Sequence, residues 1–284
     1  MPYVPTIRGR RLARDLRQIR EARKLKGDEA AALVGWDQGK ISRVENAKMR
    51  VTVGEVMELC EAYEISGERR AELIQLAREA RKQGWWLPYR GVLKQGFSDY
   101  LAFESEADSF RSYQVHLIHG LLQTEDFARA VLRTSRVLHG PEEVDRAVEA
   151  RVARQKRLTS LEKPLQMWQI IEEGALRRTI GDAATMRAQL DHLLEVSRLP
   201  NVSIQVIPYR SATHVALDGP FELLGFDDYP DVLYVEHFGG CRFFEKPEET
   251  TDAKVVFDHL RSSALNTADS AALIQRVAKE MYGS

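Results

Sequence analysis

Apolar residues first recur at helical spacing: Leu12, Leu16 and Ile19 stand four and three apart, which predicts an amphipathic helix over residues 8–25 with Arg10, Arg14 and Arg17 on another face. A second helix is expected to begin at Asp28 and to turn Ala31 and Val34 inward. Gly35 then supplies a residue that adopts positive φ without steric cost where the chain must turn. Asp37 stands where it can cap a third helix, residues 38–46, which buries Ile41 and Val44 and leaves Gln38, Lys40, Ser42 and Arg43 outward. Thr52 and Glu55 have the spacing of a capping box at the head of a fourth helix, whose Val56, Leu59, Cys60 and Tyr63 form one apolar face. A fifth helix is expected from Gly67.

The periodicity fails at residues 82–91, where glycine, proline and the adjacent Trp85 and Trp86 gather, and a domain junction is expected there with the tryptophans buried as a wedge. Beyond it the pattern predicts helices over residues 97–111, 124–138 (capped by Thr124) and 141–161. Short runs rich in branched and aromatic residues predict strands at 165–171, 202–207, 221–226, 232–238 and 242–244, with a helix at 182–197 between the first two. Two helices, 248–265 and 268–282, follow. The expected organisation is a five-helix module over residues 1–83, a linker over 84–96, and a mixed α/β domain with a small sheet over 97–284; the class is mainly α with a smaller α+β part.

In the first module Ala31, Gly35 and Ile41 meet the demands of two helices crossing closely: a small residue for approach, a glycine for the left-handed turn, and a branched residue to lock the second helix on the first. Five short helices with that turn between the second and third resemble the Cro/repressor, or XRE-type, DNA-binding domain, a lambda-repressor-like helix-turn-helix. The resemblance implies that the third helix enters the major groove, with Gln38 and Arg43 reading base edges, Lys40 and Ser42 on phosphate, and Gly39 letting the backbone approach the duplex. It further implies that Arg20 and Glu45 form a structural ion pair tying the first helix to the third. Ala47 departs from the family's usual glycine, so Asn46 is expected to take the left-handed position or the helix to end differently. Pro2 and Pro5 can stiffen an amino-terminal arm that touches DNA, although a disordered tail is the favoured expectation.

Charge sharpens this picture. Residues 1–90 hold 19 Lys and Arg against 13 Asp and Glu, while the remainder holds 22 against 29. The excess crowds into the first helix and its exit, from Arg8 to Lys26, and makes Arg14 and Arg17 candidates for phosphate contact with double-stranded DNA. Only Cys60 and Cys241 are present, which excludes a disulfide framework and a cysteine-rich zinc site and makes both expected core thiols. No apolar run approaches membrane-spanning length and the first residues lack an apolar signal core, so a cytoplasmic protein without membrane contact is expected.

Catalytic chemistry finds no support. His116 and His119 have no third ligand at metal-site spacing, Glu172 and Glu173 read as a solvated turn beside Arg177 and Arg178, and no nucleophile motif or phosphate loop occurs. No enzyme, catalytic residue, metal or cofactor is expected. Four phrases do stand out: Gly120-Leu121-Leu122-Gln123-Thr124, Ala150-Arg151-Val152-Ala153-Arg154-Gln155, Asp218-Gly219-Pro220-Phe221 and Tyr234-Val235-Glu236. In this order behind an XRE-type module they resemble the carboxy-terminal domain of antitoxin-like regulators, WhiJ-like developmental regulators among them. That resemblance implies a repressor whose partner is a small protein encoded by a neighbouring gene, and a homodimer is expected because two modules would read paired half-sites. The residues leave a second possibility open, a regulator whose carboxy-terminal domain binds a small molecule.

Overall fold

The computed structural model describes residues 3–81, 84–94, 96–135, 137–211, 214–238 and 240–283. Pro2 of the expected arm and Lys82, Gln83 and Gln95 of the expected junction lie outside them. By contact the chain divides into two compact units, Met1–Pro88 with Ser98–Glu106, and Tyr89–Phe97 with Ala107–Ser284.

The first unit is helical: α1 (Ile7–Ala22), α2 (Gly27–Leu33), α3 (Gln38–Glu45), α4 (Val53–Ala62), α5 (Gly67–Glu79) and all but the first residue of α6 (Phe97–Glu106), whose Phe97 groups with the second unit. Each of the first five turns one apolar stripe inward, so Leu12, Leu16, Ala31, Ile41, Val44, Val56, Leu59, Tyr63 and Leu73 close a single core. Starts are set by side chains that satisfy the free N–H groups of the first turn. Thr6 accepts from Gly9, Asp37 from Lys40, and Thr52 and Glu55 exchange bonds as a capping box. The second helix starts one residue before Asp28, with the Glu29 carboxylate accepting from the Lys26 N–H.

Four of these helices end alike, with an N–H reaching back to the carbonyl five residues earlier: Leu25 to Arg20, Trp36 to Ala31, Lys48 to Arg43 and Ile65 to Cys60. The residue ahead of each donor is left-handed, Lys24 at φ 59°, Gly35 at 66°, Ala47 at 51° and Glu64 at 51°. Neither alternative expected after α3 holds: Asn46 has φ −99°, the helix ends as the other three do, and Ala47 itself bears the strain.

The second unit is built on a six-stranded sheet of order β3-β2-β1-β4-β5-β6 among the described residues, with β1 at Ser109–Gln114, β2 at Gln166–Glu172, β3 at Val202–Ile207, β4 at Phe221–Gly225, β5 at Val232–His237 and β6 at Gly240–Phe244. The first three strands are parallel and the last three join antiparallel. The sequence expectation of one helix over 97–111 is corrected here: α6 ends at Glu106 and an interior strand begins at Ser109. Around the sheet stand α7 (Glu125–Leu132), α8 (Pro141–Gln155), α9 (Glu173–Arg177), α10 (Ala183–Val196), α11 (Pro247–Ser263) and α12 (Thr267–Tyr282). One sheet face, with Tyr113, Ile170, Ile207 and Leu223, is sealed by Ala253, Phe257 and Leu260 of α11. Strand alternation sends Ser112, Glu222 and Tyr234 to the opposite face.

Candidate nucleic-acid interface

Helix α3 is anchored on one side and open on the other. Ile41 and Val44 are each 2% exposed, while Gln38, Ser42 and Arg43 are exposed. The turn before it depends on backbone conformation rather than space, because a Cβ at Gly35 would meet nothing within 4 Å yet the residue sits at φ 66°. Ala31, 3% exposed, is buried in the helix pair as its size requires. Arg20 holds the far end of α3 by a two-pronged pair with Glu45 at 2.7 and 2.8 Å and gives a third bond to the Leu25 carbonyl at 2.7 Å.

Two of the expected contact residues are engaged within the unit. The Lys40 ammonium lies 2.7 Å from Glu55 and 3.8 Å from the centre of the Trp36 ring. Burial pushes the Glu55 carboxyl up, but Lys40 and the Thr52 cap outweigh it and hold the carboxyl below its ordinary range. At Gly39 a Cβ would stand 2.8 Å from the Asp37 carboxylate and 3.1 Å from the Arg43 guanidinium. Glycine therefore lets Arg43 fold toward Asp37 over the start of α3, 3.9 Å apart with both groups exposed. Such a pair is worth little and releases Arg43 readily.

The arginines of α1 are less available than their number implies. Asp15, 4% exposed, gathers Arg69 at 3.0 Å, Arg14 at 3.6 Å and Arg11 at 4.0 Å. Arg8 pairs with Glu79 and Glu106, and Arg10 with Asp99 while lying over the Phe103 ring. Arg17 bonds Glu21 on an exposed surface, and Arg23, Lys24 and Lys26 are exposed at the helix exit. The basic stretch thus serves chiefly to tie the unit together, leaving Arg17 and the exit as its outward charge.

In the second unit His116 is exposed, whereas His119 is buried, accepting at Nδ1 from the Leu121 N–H and facing Glu222 through Nε2 at 3.2 Å. No group of His, Cys, Asp or Glu able to hold a metal occurs among the described residues. Glu172 and Glu173 are not a solvated cap. Glu172 accepts from the Tyr113 hydroxyl at 2.8 Å and meets His214 at 3.0 Å, and buried Glu173 binds Arg177 and the Tyr209 N–H. Cys60 is buried as expected, but Cys241 is only half-buried. Trp86 is buried and Trp85 stands edge-on to it.

The four phrases that periodicity left unexplained pair off in the second unit. Arg151 donates to Gln123 at 2.6 Å, and Gln155 donates to the carbonyls of Gly120 and Gln123, so the first two interlock. Glu222, just past the third, lies opposite Tyr234 of the fourth across β4 and β5. Sequence reasoning missed the result, a buried polar row of Gln169, Ser112, Glu222 and Tyr234 on adjacent positions of four strands.

Comparison with known families gives two matches. A family described as a helix-turn-helix domain matches residues 11–73. A family described as a domain of unknown function (DUF5753) matches residues 97–276. No curated protein matches the chain. None of the helices in the described residues is long and apolar enough to cross a membrane.

Proposed function

From a chain that belongs to the DUF5753 family and carries a DNA-binding helix-turn-helix domain ahead of that family's span, we infer a homodimeric repressor of XRE type whose paired α3 helices read half-sites about 34–36 Å apart. The single observation that carries the reading is the polarity of α3: its apolar side is locked in the core while Gln38, Ser42 and Arg43 face outward from a capped, glycine-hinged start. Gln38 suits an adenine edge and Arg43, released from Asp37, a guanine edge. Ser42, Arg17 and, after leaving Glu55, Lys40 set the orientation on phosphate, with Arg14 a more enclosed member of the same group. Arg20 and Glu45 take no part in contact and hold α3 in place.

Control falls to the second unit. The resemblance to antitoxin-like regulators supports a small protein from a neighbouring gene as the signal, and the protein acts in the cytoplasm without catalysis or cofactor. A cavity in the second unit favours the other reading, a small-molecule sensor.

The decisive experiment selects bound fragments from genomic DNA and repeats the selection with variants. Arg43→Ala is expected to lose about 1–3 kcal/mol of discrimination at one base position. Arg17→Ala is expected to weaken all duplexes alike and to reduce the slope of log K against log salt by about one. Equal loss on every sequence for both variants would remove α3 as the reading element.

A further inference from the structure

The polar row on the sheet face opposite α11 calls for an occupant. Burying polar side chains is costly unless each finds a hydrogen-bond partner, and unmet groups in a core mark places where something else binds. Glu222 is the sharpest case. It is 6% exposed, and both of its donors, His119 Nε2 at 3.2 Å and Gln114 Nε2 at 3.0 Å, meet the same oxygen, Oε1. Among the described residues the buried second oxygen, Oε2, has no hydrogen-bond partner.

Space adjoins this residue. Glu222, Gln114, Tyr234 and Glu236 line a cleft of about 60 Å³, the size of a small head group. Tyr234 and Glu236 also form a wall of a second cavity of about 560 Å³, which continues over Phe97, Val131 and Leu132. That volume lies in the range of sites that enclose a small organic molecule. The charge of the walls selects the head group. Two carboxylates, Glu222 and Glu236, line the small cleft, and Lys94 already answers Glu236, which leaves Glu222 as the unmet one. The cations of the larger cavity already have partners, Lys94 on Glu236 at 3.0 Å and Arg151 on Gln123 at 2.6 Å. Tyr234 stays a neutral phenol, since burial and then the charges of Glu236 and Glu222 push its pKa up. The outstanding demand is therefore for a donor.

We propose that the second unit binds a small organic amine, its ammonium group in the cleft at Glu222 and its apolar body in the cavity over Leu132. This deepens the sensor reading given above and rests on the second unit alone. The site lies between α7, which supplies Val131 and Leu132, and β5, which supplies Tyr234 and Glu236.

The test is calorimetric titration of the full chain, free of DNA, with phenylbutylamine, phenylbutanol and phenylbutyrate, three probes sharing one apolar body. The amine is expected to bind at least about tenfold more tightly than the carboxylate. Glu222→Gln should bring the amine down to the level of the alcohol, and Leu132→Trp, which fills the cavity, should weaken all three. Absence of saturable amine binding, equal or tighter binding of the carboxylate, or an unchanged amine affinity in Glu222→Gln would overturn the proposal. Should Glu222→Gln fail to melt cooperatively, Leu132→Trp decides: a tenfold loss of amine affinity supports the site and an unchanged affinity rejects it. Because no DNA is present, failure here is separate from failure of the α3 reading.

Discussion

Ala47 carries strain that a single atom relieves. Its φ of 51° lies where a Cβ crowds the following carbonyl, at a cost of roughly 1–2 kcal/mol, and the ending of α3 holds it there through the Lys48 bond to Arg43. Glycine removes that cost but adds about 0.5–1 kcal/mol of freedom to the unfolded chain. Ala47→Gly is therefore expected to stabilise the protein by about 0.5–1 kcal/mol, read as a higher urea midpoint with an unchanged slope; a lower midpoint would mean that Ala47 gains a compensating contact. The pair between Arg20 and Glu45 works in the opposite sense. Their side chains are 13% and 7% exposed, so removing one partner strands a charge with little water. Glu45→Leu alone should cost roughly 3–5 kcal/mol, whereas Glu45→Leu with Arg20→Met should recover much of it, because both desolvation costs vanish together. Equal losses in the single and double variants, measured by denaturant unfolding, would show that the pair is valued for its shape and not for its charge.

At the scale of elements, the start of α4 links the core to the candidate interface, since Glu55 closes the capping box with Thr52 and also receives Lys40 from α3. The folded Glu55 carboxyl titrates below its ordinary value of 4.5. Its contribution to stability is accordingly complete above the unfolded pKa and is lost as pH falls through the lower folded one. Thermal melts of wild type and Glu55→Gln should differ near neutrality and converge as the pH drops well below that value; a gap that stays constant would assign the effect to packing. Elements of this kind were legible from the chain because caps, stripes and the Gly35 turn are local rules. The same locality explains what was illegible. Strand β1 reads Ser-Phe-Arg-Ser-Tyr-Gln, and its Ser112 and Gln114 hide an interior strand because the face they meet is polar. The helical pattern therefore ran past Ala107 and Asp108. In the candidate interface the outward residues of α3 followed from spacing. The pairing of the α1 arginines did not, because Arg69, Asp99 and Glu106 lie dozens of positions away and come near only in the folded unit. The polar row could not be seen for the same reason, since it exists only in the register of four strands.

For the whole molecule, the division into units follows contact and not chain order: Ser98–Glu106 groups with the helical module, although the sequence sets it past the junction. Arg10 shows one physical basis, reaching Asp99 at 3.1 Å and the Phe103 ring at 4.6 Å, and Arg8 reaches Glu106. Glu106 is pushed up by burial more than Arg8 draws it down, so it is a group that the fold encloses and not a surface charge. A DNA-binding module cut after residue 83 loses these partners and leaves Arg8 and Arg10 of α1 without acids that the intact unit supplies. Comparing fragments 1–83 and 1–106 tests this reasoning. The longer fragment is expected to resist denaturant better by about 2 kcal/mol or more, the scale of one buried aromatic side chain. Its advantage should also shrink as pH rises. A group whose folded pKa is raised contributes stability that is full below the unfolded value and lost as pH climbs through the folded one, and Glu106 is present only in the longer fragment. Identical unfolding of the two fragments at every pH would return α6 to the second domain and leave the helical module complete at its fifth helix.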